Sequence, residues 1–260
     1  MQSYFDLYNY RLHIAEAYRK RNTALLANED ASTVLEHFRQ ERDAVFAAHP
    51  QSALDEAQKR VFKGLHYFPF NPDMRFTVIV DTDIEANRQE VVMSTTESMM
   101  MTTVGRVHFV VGQQPATLSL YWLDIYGGGL FLPFRDTTCP QESYGGGRYL
   151  FDTIKGSNFL STPNELMPGH PQGDAPPIRR ATPPLGMGGA SPCGCPGDST
   201  LMSVLQKNEP RPEHGQTQIV LDFNYAYNPS CAYNDAWTCP LAPIENRMNV
   251  PIAAGEKKYK

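Results

Sequence analysis

Residues 75–125 decide the fold: RFTVIVDTDIEANRQEVVMSTTESMMMTTVGRVHFVVGQQPATLSLYWLDI. Four runs within them, Arg75 to Asp81, Gln89 to Thr96, Thr103 to Val111 and Thr117 to Ile125, are rich in β-branched and aromatic residues and read as strands. Turn residues separate them: Asp83-Ile84-Glu85, Gly105, and Gly112-Gln113-Gln114-Pro115. No helix-length pattern intervenes. Connections this short predict an antiparallel meander, closed as a barrel or stacked as a sandwich.

Upstream, the pattern is helical. Tyr4 to Leu26 predicts an amphipathic helix with Tyr4, Tyr8, Leu12, Ala15 and Arg19 along one face. A second helix runs from about Asp30 to Ala48, with Asp30 or Ser32 as its cap and Val34, Leu35, Phe38, Val45 and Phe46 as its stripe. His49-Pro50 ends it, because a residue before proline is pushed out of the helical region. Ser52 caps a short third helix over Ala53 to Val61.

Downstream, two segments echo each other. Tyr126-Gly-Gly-Gly129 leads into a strand ending at Asp136, and Tyr144-Gly-Gly-Gly147 into one ending at Asp152. Tight hairpin turns are one reading, and an anion-binding nest of backbone N–H groups beside Arg148 is the other. Residues 156–216 are then loaded with proline and glycine and cannot bury enough apolar surface to order themselves alone. Thr217 to Phe223 reads as a last strand, followed by an irregular tail. The expectation is one α+β domain over 1–260: N-terminal helices (1–63) packed on an antiparallel β-barrel or sandwich (64–155), the insertion (156–216), and a last strand with a covering C-terminal tail (217–260).

The chain of 260 residues carries a formal charge of −5, which argues against nucleic acid, since phosphate binding needs a basic face. No apolar run approaches the ~20 residues of a membrane span, and the polar start of the sequence predicts a cytoplasmic protein. The partners expected are a small molecule and, through 156–216, a second copy of the chain.

Five cysteines offer three readings. Cys193 and Cys195 with Cys231 and Cys239 supply enough thiolates for a zinc site, though not in the usual C-x₂-C doublets. Cys231 and Cys239 alone are candidates for a disulfide. Buried free thiols are the bland alternative. Cys139 reads as a lone loop thiol.

Carboxylates at strand ends or in the tail are the candidate catalytic groups: Asp136, Asp222 and Glu245 suit acid–base work. Arg148, Tyr144, Asn224, Tyr227 and Asn228 are the candidate ligand-binding residues, with Arg148 taking an anionic group at the mouth of the barrel. The competing reading is structural: the same cluster locks the tail to the sheet, with Asp136 and Asp222 capping turns or pairing with arginines.

FLPFRDTT (131–138), YGGGRYLFD (144–152), LDFNYAYNPSCAY (221–233) and CPLAPIENRMNVPIAAGEK (239–257) resemble the blocks of the bacterial and archaeal domain-of-unknown-function family 1684. FRQERDAVFAAHPQSAL (38–54) and FKGLHYFPFNPDMRF (62–76) resemble its upstream blocks. The resemblance brings no established activity. It marks the Pro/Gly-rich stretch with Cys193 and Cys195 as this chain's own departure.

Overall fold

Alternating burial along Met99–Val111 makes this strand, β3, the spine of the sheet: Met101, Thr103, Val107, Phe109 and Val111 turn inward while Arg106, His108 and Val110 face out. The structure, a computed structural model, describes residues 4–96, 98–125, 128–152 and 217–259. Three helices precede the sheet: α1 (Tyr4–Leu26), α2 (Ala31–Ala48) and α3 (Glu56–Val61). The other strands are β1 (Arg75–Asp81), β2 (Arg88–Val91), β4 (Gln114–Leu123), β5 (Leu130–Phe134), β6 (Arg148–Phe151) and β7 (Gln218–Asp222).

The order is β6-β5-β4-β3-β1-β7, antiparallel throughout, with β2 beside β1 on the same edge of β3. The sheet curls into a half-barrel, so the expected α+β class holds and the barrel stays open. β4 and β3 pair from Val111↔Gln114 to Met101↔Leu123. Gly105, expected to separate strands, lies within β3 at a register shift. A Cβ there would come within 2.5 Å of Val80 Cγ1, so glycine lets β1 pass close. β7 joins late in sequence but pairs β1 from Arg75↔Asp222 to Ile79↔Gln218.

The helices lie against the sheet around one core, in which Ile14, Tyr18 and Phe38 join Val107, Leu118, Leu132 and Phe223. Phe223 is its aromatic centre, with Phe134 and Phe109 ring centroids at 5.1 and 5.6 Å. Such pairs add about 0.5–1.5 kcal/mol each beyond area burial.

Two helix details differ from the sequence reading. α1 keeps its expected span but buries Tyr10, Ile14, Ala17, Tyr18, Arg21 and Asn22, leaving Tyr4, Tyr8 and Leu12 exposed. The buried face carries an arginine whose guanidinium stacks 4.6 Å over Tyr225, and a polarity pattern assigns such a residue to solvent. α3 begins later and is capped by Asp55, whose carboxylate accepts from Gln58 N at 2.8 Å while Gln58 Oε1 accepts from Asp55 N at 2.8 Å. Ser52 instead donates to Phe46 O at 2.7 Å, fastening the turn after α2. Asp30 caps α2 as expected, accepting from Thr33 N at 2.8 Å. No helix among the described residues is long and apolar enough to cross a membrane.

Candidate functional site

Arg148 opens β6 with no exposed surface, because β6 lies between β5 and the C-terminal tail. Its guanidinium reaches Asp136 Oδ1 at 3.1 Å and donates to the carbonyls of Ile252 at 2.8 Å, Glu256 at 3.2 Å and Ala254. All four terminal N–H groups are thereby accounted for. Asp136 in turn accepts from Ile252 N at 2.8 Å and Thr138 Oγ1 at 2.8 Å. One ion pair thus grips residues 252–256 from both the donor and the acceptor side.

A second buried pair continues the grip. Arg42 from α2 meets Glu256 at 2.9 Å, with side-chain exposures of 5% and 1%. Tyr233 Oη donates to the same carboxylate, and Asn228 N donates to Glu256 Oε2 at 3.1 Å. The Asn228 amide donates to Lys257 O at 2.7 Å. Gly255 sits at φ +74°, and a Cβ on it would fall 2.6 Å from the carbonyl oxygens of both Phe223 and Ala226.

The remaining candidates are anchored apart. Asp222 ends β7 and accepts from Asn224 N at 3.1 Å and Asn224 Nδ2 at 3.0 Å, while Asn224 bridges to the backbone of Asn71. Burial pushes the Asp222 carboxyl above the usual range, against the pull of Asn224, Arg21 and Arg75. Glu245 accepts from Tyr121 Oη at 3.0 Å and Gln89 Nε2 at 2.8 Å. Burial raises its carboxyl, but these bonds and its own N–H outweigh that and hold it below the usual range. Asp136, Asp222 and Glu245 share no hydrogen-bond partner among the described residues. Tyr227 is buried, its backbone paired to Tyr149 and its ring 5.2 Å from the Arg42 guanidinium.

Tyr144 is the candidate that meets a reactive group: its hydroxyl lies 3.7 Å from Cys231 Sγ. Cys231 N donates to Cys239 Sγ at 3.3 Å, bringing the two cysteines together. Cys193 and Cys195, and with them the four-thiolate zinc reading, lie outside the described residues. Among the described residues no cluster of three or more His, Cys, Asp or Glu is placed to hold a metal.

Sequence reasoning missed a cleft of about 530 Å³ between α1 and α2. Ile14, Ala17, Phe38 and Val45 give it apolar walls, and His13, Arg42 and His49 give it polar points. Burial and the nearby His13 hold His49 below the usual imidazole range, consistent with its Nδ1 accepting from Gln51 N at 3.0 Å. Arg42 Nε is buried there with no hydrogen-bond partner among the described residues. The only local signal for the cleft is the run of small residues Ala44 and Ala48 one turn apart on α2.

These features define an α+β protein with a half-open antiparallel sheet and a C-terminal tail tied down by two buried ion pairs. The chain belongs to the family described as "Protein of unknown function (DUF1684)", which it matches over residues 60–165 and 200–257. Residues 166–199, with Cys193 and Cys195, fall between the matched blocks, and the resembling stretch 38–54 precedes them. A similar solved structure is the solution NMR structure of an uncharacterized protein of Haloarcula marismortui. It is 25% identical, with 86% of this chain and 92% of that chain covered and a TM-score of 0.47. No curated protein matches the chain.

Proposed function

We propose that the protein binds a small, mostly apolar molecule bearing a hydrogen-bond acceptor, in the cleft between α1 and α2. The observation that carries this reading is the buried, unpartnered Nε–H of Arg42 on a cleft that counts Ile14, Ala17, Phe38 and Val45 among its walls. A buried donor without a partner costs about 1–3 kcal/mol, and a ligand acceptor would recover it. The volume falls within the roughly 300–1,000 Å³ of small-molecule sites. In this reading the Arg148–Asp136 and Arg42–Glu256 pairs are the lock of the tail. Arg148 then binds protein carbonyls in place of the anionic ligand expected from the sequence, since its terminal donors are occupied.

The test uses 1-anilinonaphthalene-8-sulfonate, an apolar ring system with an acceptor head, titrated calorimetrically into the protein. One molecule bound per chain is expected. Ala44→Phe and Ala48→Phe, which fill the cleft from exposed positions on α2, abolish it without lowering the melting temperature. Binding unchanged in both variants would overturn the assignment.

A further inference from the structure

The tail contains a second chemical feature, unrelated to the cleft. Cys231 lies in the 3-10 turn Ser230–Ala232, and Cys239 lies in the extended segment bridged to the residues after β2. That bridge fixes Cys239 from both sides: its N–H donates to Ser94 Oγ at 3.0 Å and its carbonyl accepts from Ser94 N at 2.8 Å. The turn folds Cys231 back until its N–H points at Cys239 Sγ, 3.3 Å away. Tyr144, carried on the turn before β6, brings a hydroxyl to 3.7 Å from Cys231 Sγ. Three separate segments therefore converge on two sulfurs.

We propose that Cys231 and Cys239 form a dithiol redox centre whose substrate is a small hydroperoxide. Cys231 is the attacking sulfur. The neighbouring Cys239 thiol lowers its pKa to about 6, with Tyr144, Ser94 and its own N–H assisting and burial opposing. A thiolate, not a thiol, is the nucleophile. The Cys231 thiolate attacks one oxygen of the peroxide; an S–O bond forms, the O–O bond breaks, and the leaving oxygen takes a proton to depart as water or an alcohol. Cys239 sulfur then attacks the sulfenic sulfur. The S–S bond forms, the S–O bond breaks, and the hydroxide leaves as water with the proton from Cys239. Two thiols lose two electrons and the hydroperoxide gains them. The cysteines are 7% and 8% exposed, so the substrate must be small, and it enters beside the exposed Ser94. Cys139 supplies the internal contrast: its sulfur faces Ser143 Oγ at 3.0 Å and Asp136 Oδ1 at 3.7 Å, oxygen atoms rather than a second thiol.

The test is to treat the reduced full-length protein with hydrogen peroxide, alkylate the remaining thiols and map the peptides. The expected result is a Cys231–Cys239 linkage, reversed by dithiothreitol, with Cys139 still alkylated. Cys239→Ser traps a sulfenic acid at Cys231 that dimedone labels. The oxidation rate of the parent follows an ionisation near pH 6, and Tyr144→Phe shifts that midpoint upward and slows the reaction several-fold below it. If Cys231 and Cys239 both remain alkylatable while Cys139 or the Cys193/Cys195 pair is consumed, the assignment is wrong. An oxidation rate that rises only in the ordinary thiol range, about pH 8.5, overturns it equally.

Discussion

Arg148 and Asp136 meet 3.1 Å apart with both side chains wholly removed from solvent. An ion pair so placed is weak support for stability while both partners are present, because desolvation offsets attraction. Removing one partner leaves a buried charge. Arg148→Ala is therefore expected to cost about 3–5 kcal/mol, read as a lower urea midpoint, and to expose the tail after Val250 to proteolysis. Arg148→Met with Asp136→Asn removes both charges and recovers part of the loss. A single Arg148→Ala variant within about 1 kcal/mol of the parent would mean that the tail is held elsewhere.

Gly255→Ala tests the same tail without touching a charge. Its φ of +74° and the two carbonyl oxygens 2.6 Å from the missing Cβ leave no room for a methyl group. Incompatible glycine substitutions cost more than the ~1 kcal/mol that alanine gains by stiffening the unfolded chain. A clear drop in melting temperature is expected, and an unchanged or higher one would show that the 255 turn can relax.

Asp222 gives a pH dependence of defined sign. Burial raises its native pKa above the unfolded value, so the folded state holds the proton more tightly. Its contribution is favourable below about pH 4 and is lost as pH rises through the elevated native value. Asp222→Asn removes that loss while its amide oxygen still accepts from Asn224. Denaturation curves should place the variant above the parent at pH 7, with the gap closing toward pH 4. A gap that widens on acidification contradicts the raised pKa.

What the sequence discloses follows the range of the interactions. The spans of α1 and α2, the Asp30 cap, and strands β1, β3 and β4 rest on local periodicity and capping, and those are readable from neighbours in the chain. The facing of α1 was not readable. Its exposed Tyr4–Tyr8–Leu12 stripe looks as apolar as its buried one, and only docking against Phe38 and Tyr225 discriminates. At the candidate site, the tail motifs pointed to Arg148, Asp136 and Asn228. The Arg42–Glu256 partnership spans 214 residues, and no local pattern encodes it. The Cys231–Cys239 pairing was among the alternatives, but its approach to Tyr144 depends on how the turn before β6 meets the tail.

The pairing of β1 with β7 and of Arg42 with Glu256 also governs when the protein can come into being. A strand begun at residue 75 waits for a partner at 218–222, and a charge buried from α2 waits for residue 256. At about 5–20 residues per second of synthesis, the nascent chain spends on the order of ten seconds or more with its first helices and hairpin made and their closing edge missing. Closure of the fold therefore waits until residues 218–256 have been made, and a stretch late in the order of synthesis decides whether the helices and hairpin made before it end in a folded molecule.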